Sequence, residues 1–129
     1  MEISYTVRLA KSFPEALAAT KAALAKEGFG VLAEIDVQAA MKEKMGADYA
    51  PYVILGACNP GLAHRALSAR KDIGLFLPCN VIAYEEGDRV VIEAIRPTAA
   101  MSMLDDTALA SVAAEAEEKL QRVIASLAA

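Results

Sequence analysis

The stretch "GLFLPCNVIAYEEGDRVVIEAI", Gly74 to Ile95, decides the fold. It reads as a strand interrupted at Pro78, a turn at Glu86, Gly87 and Asp88, and a returning strand. Strands joined by so short a turn run antiparallel. Proline has no N–H for the ladder, so the spacing predicts a bulge or an edge at Pro78.

Upstream, "YVILGAC", Tyr52 to Cys58, is a near-continuous apolar run, the pattern of a strand covered on both faces or nearly so. Asn59 as N-cap and Pro60 as first helical residue then open a helix to about Arg70, with Leu62, Ala63, Ala66 and Leu67 as its core side. Nearer the N-terminus, Ile3, Tyr5, Val7 and Leu9 alternate with Ser4, Thr6 and Arg8, the period of a half-buried strand. "SFPE" is a helix start, with Ser12 as N-cap and Glu15 closing a capping box. Phe13, Leu17, Thr20 and Leu24 mark the inward stripe, and Gly28 ends the helix. A second strand, "GVLAEID", precedes a short helix that Asp36 caps and Gly46 stops.

Beyond Pro97 an irregular stretch holding Met101 and Met103 is expected. Asp105 or Asp106 then caps the longest helix, whose stripe runs from Leu109 through Val112, Ala113, Ala116, Leu120, Val123 and Ile124 to Leu127. With no repeat, linker or low-complexity tract, residues 1–129 read as one α+β domain with a mainly antiparallel sheet and helices packed on it.

Composition narrows the function. A chain of 129 residues buries enough surface for one core without a disulfide or metal. Lys plus Arg count 13 against 17 Asp plus Glu, a net charge of -4, with no basic run beyond Arg70 and Lys71, which disfavours nucleic acid. The longest charge-free stretch, Tyr49 to His64, is broken by prolines and glycines, so no membrane span is expected. "MEISYTVRLA" carries no secretory pattern, and a cytoplasmic location with reduced cysteines is the expectation.

The two cysteines, each followed by asparagine, are the candidate site: Cys58 with Asn59, and Cys79 with Asn80. Cys58 precedes a helix N-terminus, which favours thiolate by about 0.3 to 1 kcal/mol. A full pKa unit needs about 1.4 kcal/mol, and burial pushes the other way. A reactive Cys58 therefore needs a cation too. His64, the single histidine, lies about 200° round the helix from Leu62, so it faces solvent if Leu62 faces the core. Gly56 to Gly61 matches the first half of a phosphate-binding loop, but Leu62 and Ala63 stand where Lys and Ser or Thr are required.

If the helix after Asn59 carries the chain back so that a strand from Gly74 runs parallel to the strand from Tyr52, Cys58 and Cys79 stand at similar height. An antiparallel arrangement is expected to separate them. Close together, they read either as small core residues or as ligands for a soft ion such as Cu(I), with Met101 or Met103. Zinc would want four ligands that the chain does not supply. Asp36, Asp48, Asp105 and Asp106 read first as caps and turn residues.

Taken together, "ILGACNPGLAHRAL" and "LPCNVIAYE", with "EIDV" upstream, resemble the bacterial and archaeal family called domain of unknown function 302. The resemblance implies a TBP-like α+β fold, a curved sheet with helices on one side, and a dimer, without an assigned activity or cofactor. The family motif corresponds to Asp36, Gly56, Cys58, Asn59, Pro60, Leu77, Pro78 and Cys79, with Asn80 beside them. The expected function is a non-catalytic module binding a small molecule or soft metal near Asp36, Cys58, Asn59, Cys79 and Asn80. The alternatives are a thiol-dependent enzyme or redox switch, and a structural interaction domain. A homodimer through the sheet or an adjoining helix is expected, since a sheet covered on one face leaves apolar surface to hide.

Overall fold

The structure, a computed structural model, describes residues 2–129. Five strands, β1 (Ser4–Leu9), β2 (Gly30–Asp36), β3 (Tyr52–Cys58), β4 (Cys79–Glu86) and β5 (Arg89–Ile95), form one open sheet in the order β1-β5-β4-β3-β2. Every pairing is antiparallel. The helices are α1 (Phe13–Lys26), α2 (Val37–Met45), α3 (Pro60–Ala69), α4 (Pro97–Ala100) and α5 (Thr107–Ala128).

Local chemistry accounts for most of the boundaries. The Ser12 hydroxyl accepts from the Glu15 amide and caps α1 as expected, but the Glu15 carboxylate accepts from that hydroxyl rather than from the Ser12 N–H, so the reciprocal arm of a capping box is not made. Asp36 accepts from Ala39 N at 2.9 Å and starts α2. Gly46 takes φ 63° after α2, a left-handed turn that costs glycine little. Of the two aspartates before α5, Asp106 is the cap, accepting from the Ala108 and Leu109 amides.

The main core lies between one sheet face and α1 and α5. Val53, Leu55, Val81, Ala83, Ile92 and Ala94 alternate inward from the strands and meet Ala16, Leu24, Leu120 and Val123. Fully burying a side chain the size of Leu24, Leu55 or Leu120 is worth about 1.5–3 kcal/mol, which is what holds these layers together. A second cluster fills the space between α3 and α5 with Leu62, Ala66, Ile73, Met101, Leu109, Val112, Ala113 and Ala116.

The segment around Pro78 departs from the sequence expectation. Lys71–Phe76 is a 3-10 helix, Pro78 lies before the strand rather than inside it, and β4 begins at Cys79. The reason is geometric. Antiparallel neighbours start and finish at the same end of the sheet, so the link from β3 to β4 must return to where it left. The ten residues of α3 rise about 15 Å, and the six of the 3-10 helix recover about 12 Å. The parallel arrangement of these strands is overturned, yet the cysteines still meet. With β4 starting five residues late, Ala57 faces Cys79 in the ladder, one residue from Cys58. The stretch after Pro97 is also more regular than expected, since α4 forms there.

Candidate functional site

Where β3 ends and β4 begins, the sheet, α3 and α5 enclose a cavity of about 310 Å³. Its floor is the sheet end: Phe29, Leu32, Ala57, Cys58 and Cys79. One wall is α3 with Leu62, Ala63, Ala66 and Leu67, and the opposite wall is α5 with Val112, Ala113 and Ala116. Leu77, Pro78, Pro97 and Met101 complete the lining, and one side stays open to solvent. Alanines recur on the helix walls, two from α3 and two from α5, and their short side chains leave room beside the α3–α5 contact.

Two local features shape the surroundings of the cavity, a bulge within its lining and a glycine outside it that seats Pro78. The register between β2 and β3 shifts between Val31 and Ala33, a bulge that re-aims Leu32 toward the cavity. At Gly56 an added Cβ would stand 2.8 Å from Pro78 Cγ, so the ring of Pro78 packs directly on the glycine.

Of the five residues that the sequence nominates, the structure brings Cys58, Asn59 and Cys79 together in the lining. Asn80 is exposed, pairs with Gly56 and does not line the cavity. Asp36 pairs with Val53, five residues along β3 from Cys58, roughly 17 Å away at ~3.3 Å per residue, where it serves as the cap of α2. His64 is exposed, as its helical position predicts.

The lining holds little polarity. It contains no charged residue, and the one side-chain amide is already engaged: Asn59 Oδ1 accepts from Leu62 N at 3.3 Å, and its Nδ2 donates to Glu27 O at 3.4 Å. Both cysteines are free thiols. Burial pushes the Cys79 thiol up to about 11, and the neighbouring Cys58 adds to the shift. Cys79 is therefore neutral at physiological pH. Met101 adds a thioether to the same lining, whereas Met103 is exposed. Among the described residues no group of three His, Cys, Asp or Glu converges on a metal position, and no helix is long and apolar enough to cross a membrane.

The sequence reading missed the α5 wall, because Val112, Ala113 and Ala116 belong to the same buried stripe that packs the core. The available signal was the recurrence of alanine on the inward sides of both α3 and α5.

No protein with a curated description matches the chain. A crystal structure of an uncharacterised conserved DUF302 protein from Bacillus stearothermophilus superposes with a TM-score of 0.90 at 35% identity, covering 97% of this chain and 98% of that one. The family model described as "Domain of unknown function DUF302" matches residues 5–127, which include every strand but the first residue of β1 and every residue of the cavity lining. The chain belongs to this DUF302 family.

Proposed function

We propose that the protein is a non-catalytic binding module that holds a small apolar molecule in the cavity between α3, α5 and the Cys58–Cys79 end of the sheet. The observation that carries this reading is a chamber of about 310 Å³ without a charged group in its lining, within the size range of ligand pockets. Water that enters finds few of the two to four polar partners an ordered site needs, so an apolar guest displaces it favourably.

The uncharged fluorophore N-phenyl-1-naphthylamine tests this directly. The expected result is a saturable rise in fluorescence with the native protein, lost in Ala113→Phe, which fills the chamber from α5, with the circular dichroism of the fold retained. A native protein that does not bind the probe overturns the reading.

A second reading rests on the sulfurs. Cys58, Cys79 and Met101 share one lining, a donor set suited to Cu(I) rather than to harder ions. Native mass spectrometry of the reduced protein with Cu(I) under argon is expected to give a one-to-one adduct that Cys79→Ser abolishes; absence of the adduct in the native protein removes this reading. The thiol-enzyme alternative draws less support, since the raised Cys79 is a poor nucleophile at neutral pH. We also propose a homodimer through the sheet face opposite the helices, where Ile35 is half exposed and Tyr52, Ile54, Ile82 and Tyr84 are only half-buried.

A further inference from the structure

The mouth of the cavity differs from its interior. Two leucines of the lining stand exposed around it: Leu32 on the β2 bulge at 72% and Leu67 on α3 at 42%. A third exposed leucine, Leu75, follows Gly74 of the lining in the 3-10 helix. An apolar lining therefore continues outward as an apolar rim.

A cation lies close by: Lys71 opens the 3-10 helix that contributes Gly74 to the lining. Residues three apart eclipse in a 3-10 helix, so Lys71 shares the side of the helix that Gly74 turns to the cavity. Nothing lies within 4 Å of the Cβ position that Gly74 lacks, which leaves a clear path past it. Arg65 is neutralised by Glu115 and Arg70 by Asp72. Lys71 is exposed and forms no ion pair among the described residues.

We propose that the ligand is a single-chain anionic amphiphile whose tail fills the chamber and whose head group sits at Lys71. This rests on the reading of the cavity as an apolar binding site and names its ligand class. Size sets the tail. A cavity of about 150 Å³ takes one benzene, so about 310 Å³ takes roughly ten to twelve carbon atoms, enough for the naphthyl ring of the fluorophore with its phenyl group at the open mouth. Shape favours a chain over a fused ring, because a chain occupies chamber, leucine rim and cation in succession. The head needs charge rather than a particular geometry, since lysine acts as a point charge on a flexible stem.

Competition against N-phenyl-1-naphthylamine with hexanoate, octanoate, decanoate, dodecanoate and neutral decanol tests the assignment. Affinity is expected to rise up to about fourfold per methylene and to level off near ten carbons. Decanoate should outcompete decanol by roughly two- to fivefold at low salt, and that preference should shrink as salt screens it. Lys71→Glu should abolish the preference for decanoate while leaving binding of the neutral fluorophore unchanged. Equal competition by decanoate and decanol, or a preference that survives in Lys71→Glu, overturns the head-group assignment. Affinity that is independent of chain length overturns the tail. Both failures leave fluorophore binding, and with it the cavity reading, standing; failure of the fluorophore itself to bind the native protein brings both down.

Discussion

Cys79 is one register step from Cys58, at a sheet end where two thiols could do redox chemistry, and its surroundings keep it protonated instead. Desolvation by the apolar lining raises it from an ordinary 9.0 to about 11. Ultraviolet thiolate absorbance should therefore show one thiol of the folded protein ionising near pH 11. A midpoint for both thiols at or below the ordinary value would contradict the burial argument. The same shift fixes the sign of a pH effect on stability. Unfolding frees the thiol to ionise at its ordinary pKa, so the Cys79 contribution is complete below about pH 9 and is lost as pH rises toward about 11. Cys79→Ala should flatten that alkaline loss in urea denaturation, and an unchanged slope would count against it. Gly56 is the other residue on which the site depends. Its missing Cβ admits the Pro78 ring, 2.8 Å from where the Cβ would stand, and the ring cannot swing aside as a flexible side chain could. Gly56→Ala should cost about 1–3 kcal/mol of stability as overpacking, read as a lower urea midpoint; a midpoint equal to that of the native protein would show that the Pro78 segment yields.

At the scale of the element, α3 is the hinge of the architecture, because it sets how the chain leaves β3 and returns to β4. Asn59 ties its first turn to the residue after α1, capping Leu62 N while donating to Glu27 O. Asn59→Ala should cost about 1 kcal/mol for the cap and a further ~1 kcal/mol for the bridging hydrogen bond. Asn59→Ser, which restores only the cap, should recover about half; indistinguishable stabilities for Asn59→Ala and the native protein would remove Asn59 from this role. The start of α3 was legible in the sequence, because capping chemistry is local: Asn59, Pro60 and the apolar spacing that follows need no distant partner to be read. The 3-10 helix over Lys71–Phe76 was not. "GLFL" has the composition of a strand, and what overrides it is the requirement that the chain return to the same end of the sheet, a non-local condition. The same distinction applies to the site. Cys58, Asn59 and Cys79 were visible as a repeated Cys-Asn pair, whereas the α5 wall depends on which alanines face each other across the fold. Asp36, capping α2 well away from the cavity, shows that residues belonging to one sequence motif need not share one place in the structure.

At the scale of the whole molecule, the helices and the sheet divide the protein into a face that is filled and a face that is not. α1 and α5 seal one side of the sheet. The other carries Tyr52 stacked on Tyr84 at 5.4 Å, Tyr49 edge-on to Tyr52, and Ile35, Ile54 and Ile82 beside them. Its central charge is already satisfied, since the Glu93 carboxylate accepts hydrogen bonds from Ser4 and Tyr84, each at 2.8 Å. A carboxylate held in this way is less costly to cover than a free one. Five strands at ~4.8 Å spacing and six to eight residues at ~3.3 Å span roughly 24 by 20–26 Å. That footprint, roughly 500–600 Å² before side-chain relief is counted, lies at the small end of what each partner gives to an interface. A two-fold pairing of this face on itself would bring tyrosines and isoleucines of both copies together and leave the cavity mouth, on the helix side, open to ligand. Sedimentation equilibrium at micromolar concentration should return twice the 13.6 kDa chain mass, and Ile82→Lys, which places an ammonium on the open face without disturbing the helix side, should shift the population to monomer. A native protein sedimenting as the monomer would reject the dimer, and an Ile82→Lys variant that remained dimeric would move the interface away from the sheet face to one of the edge strands, β1 or β2.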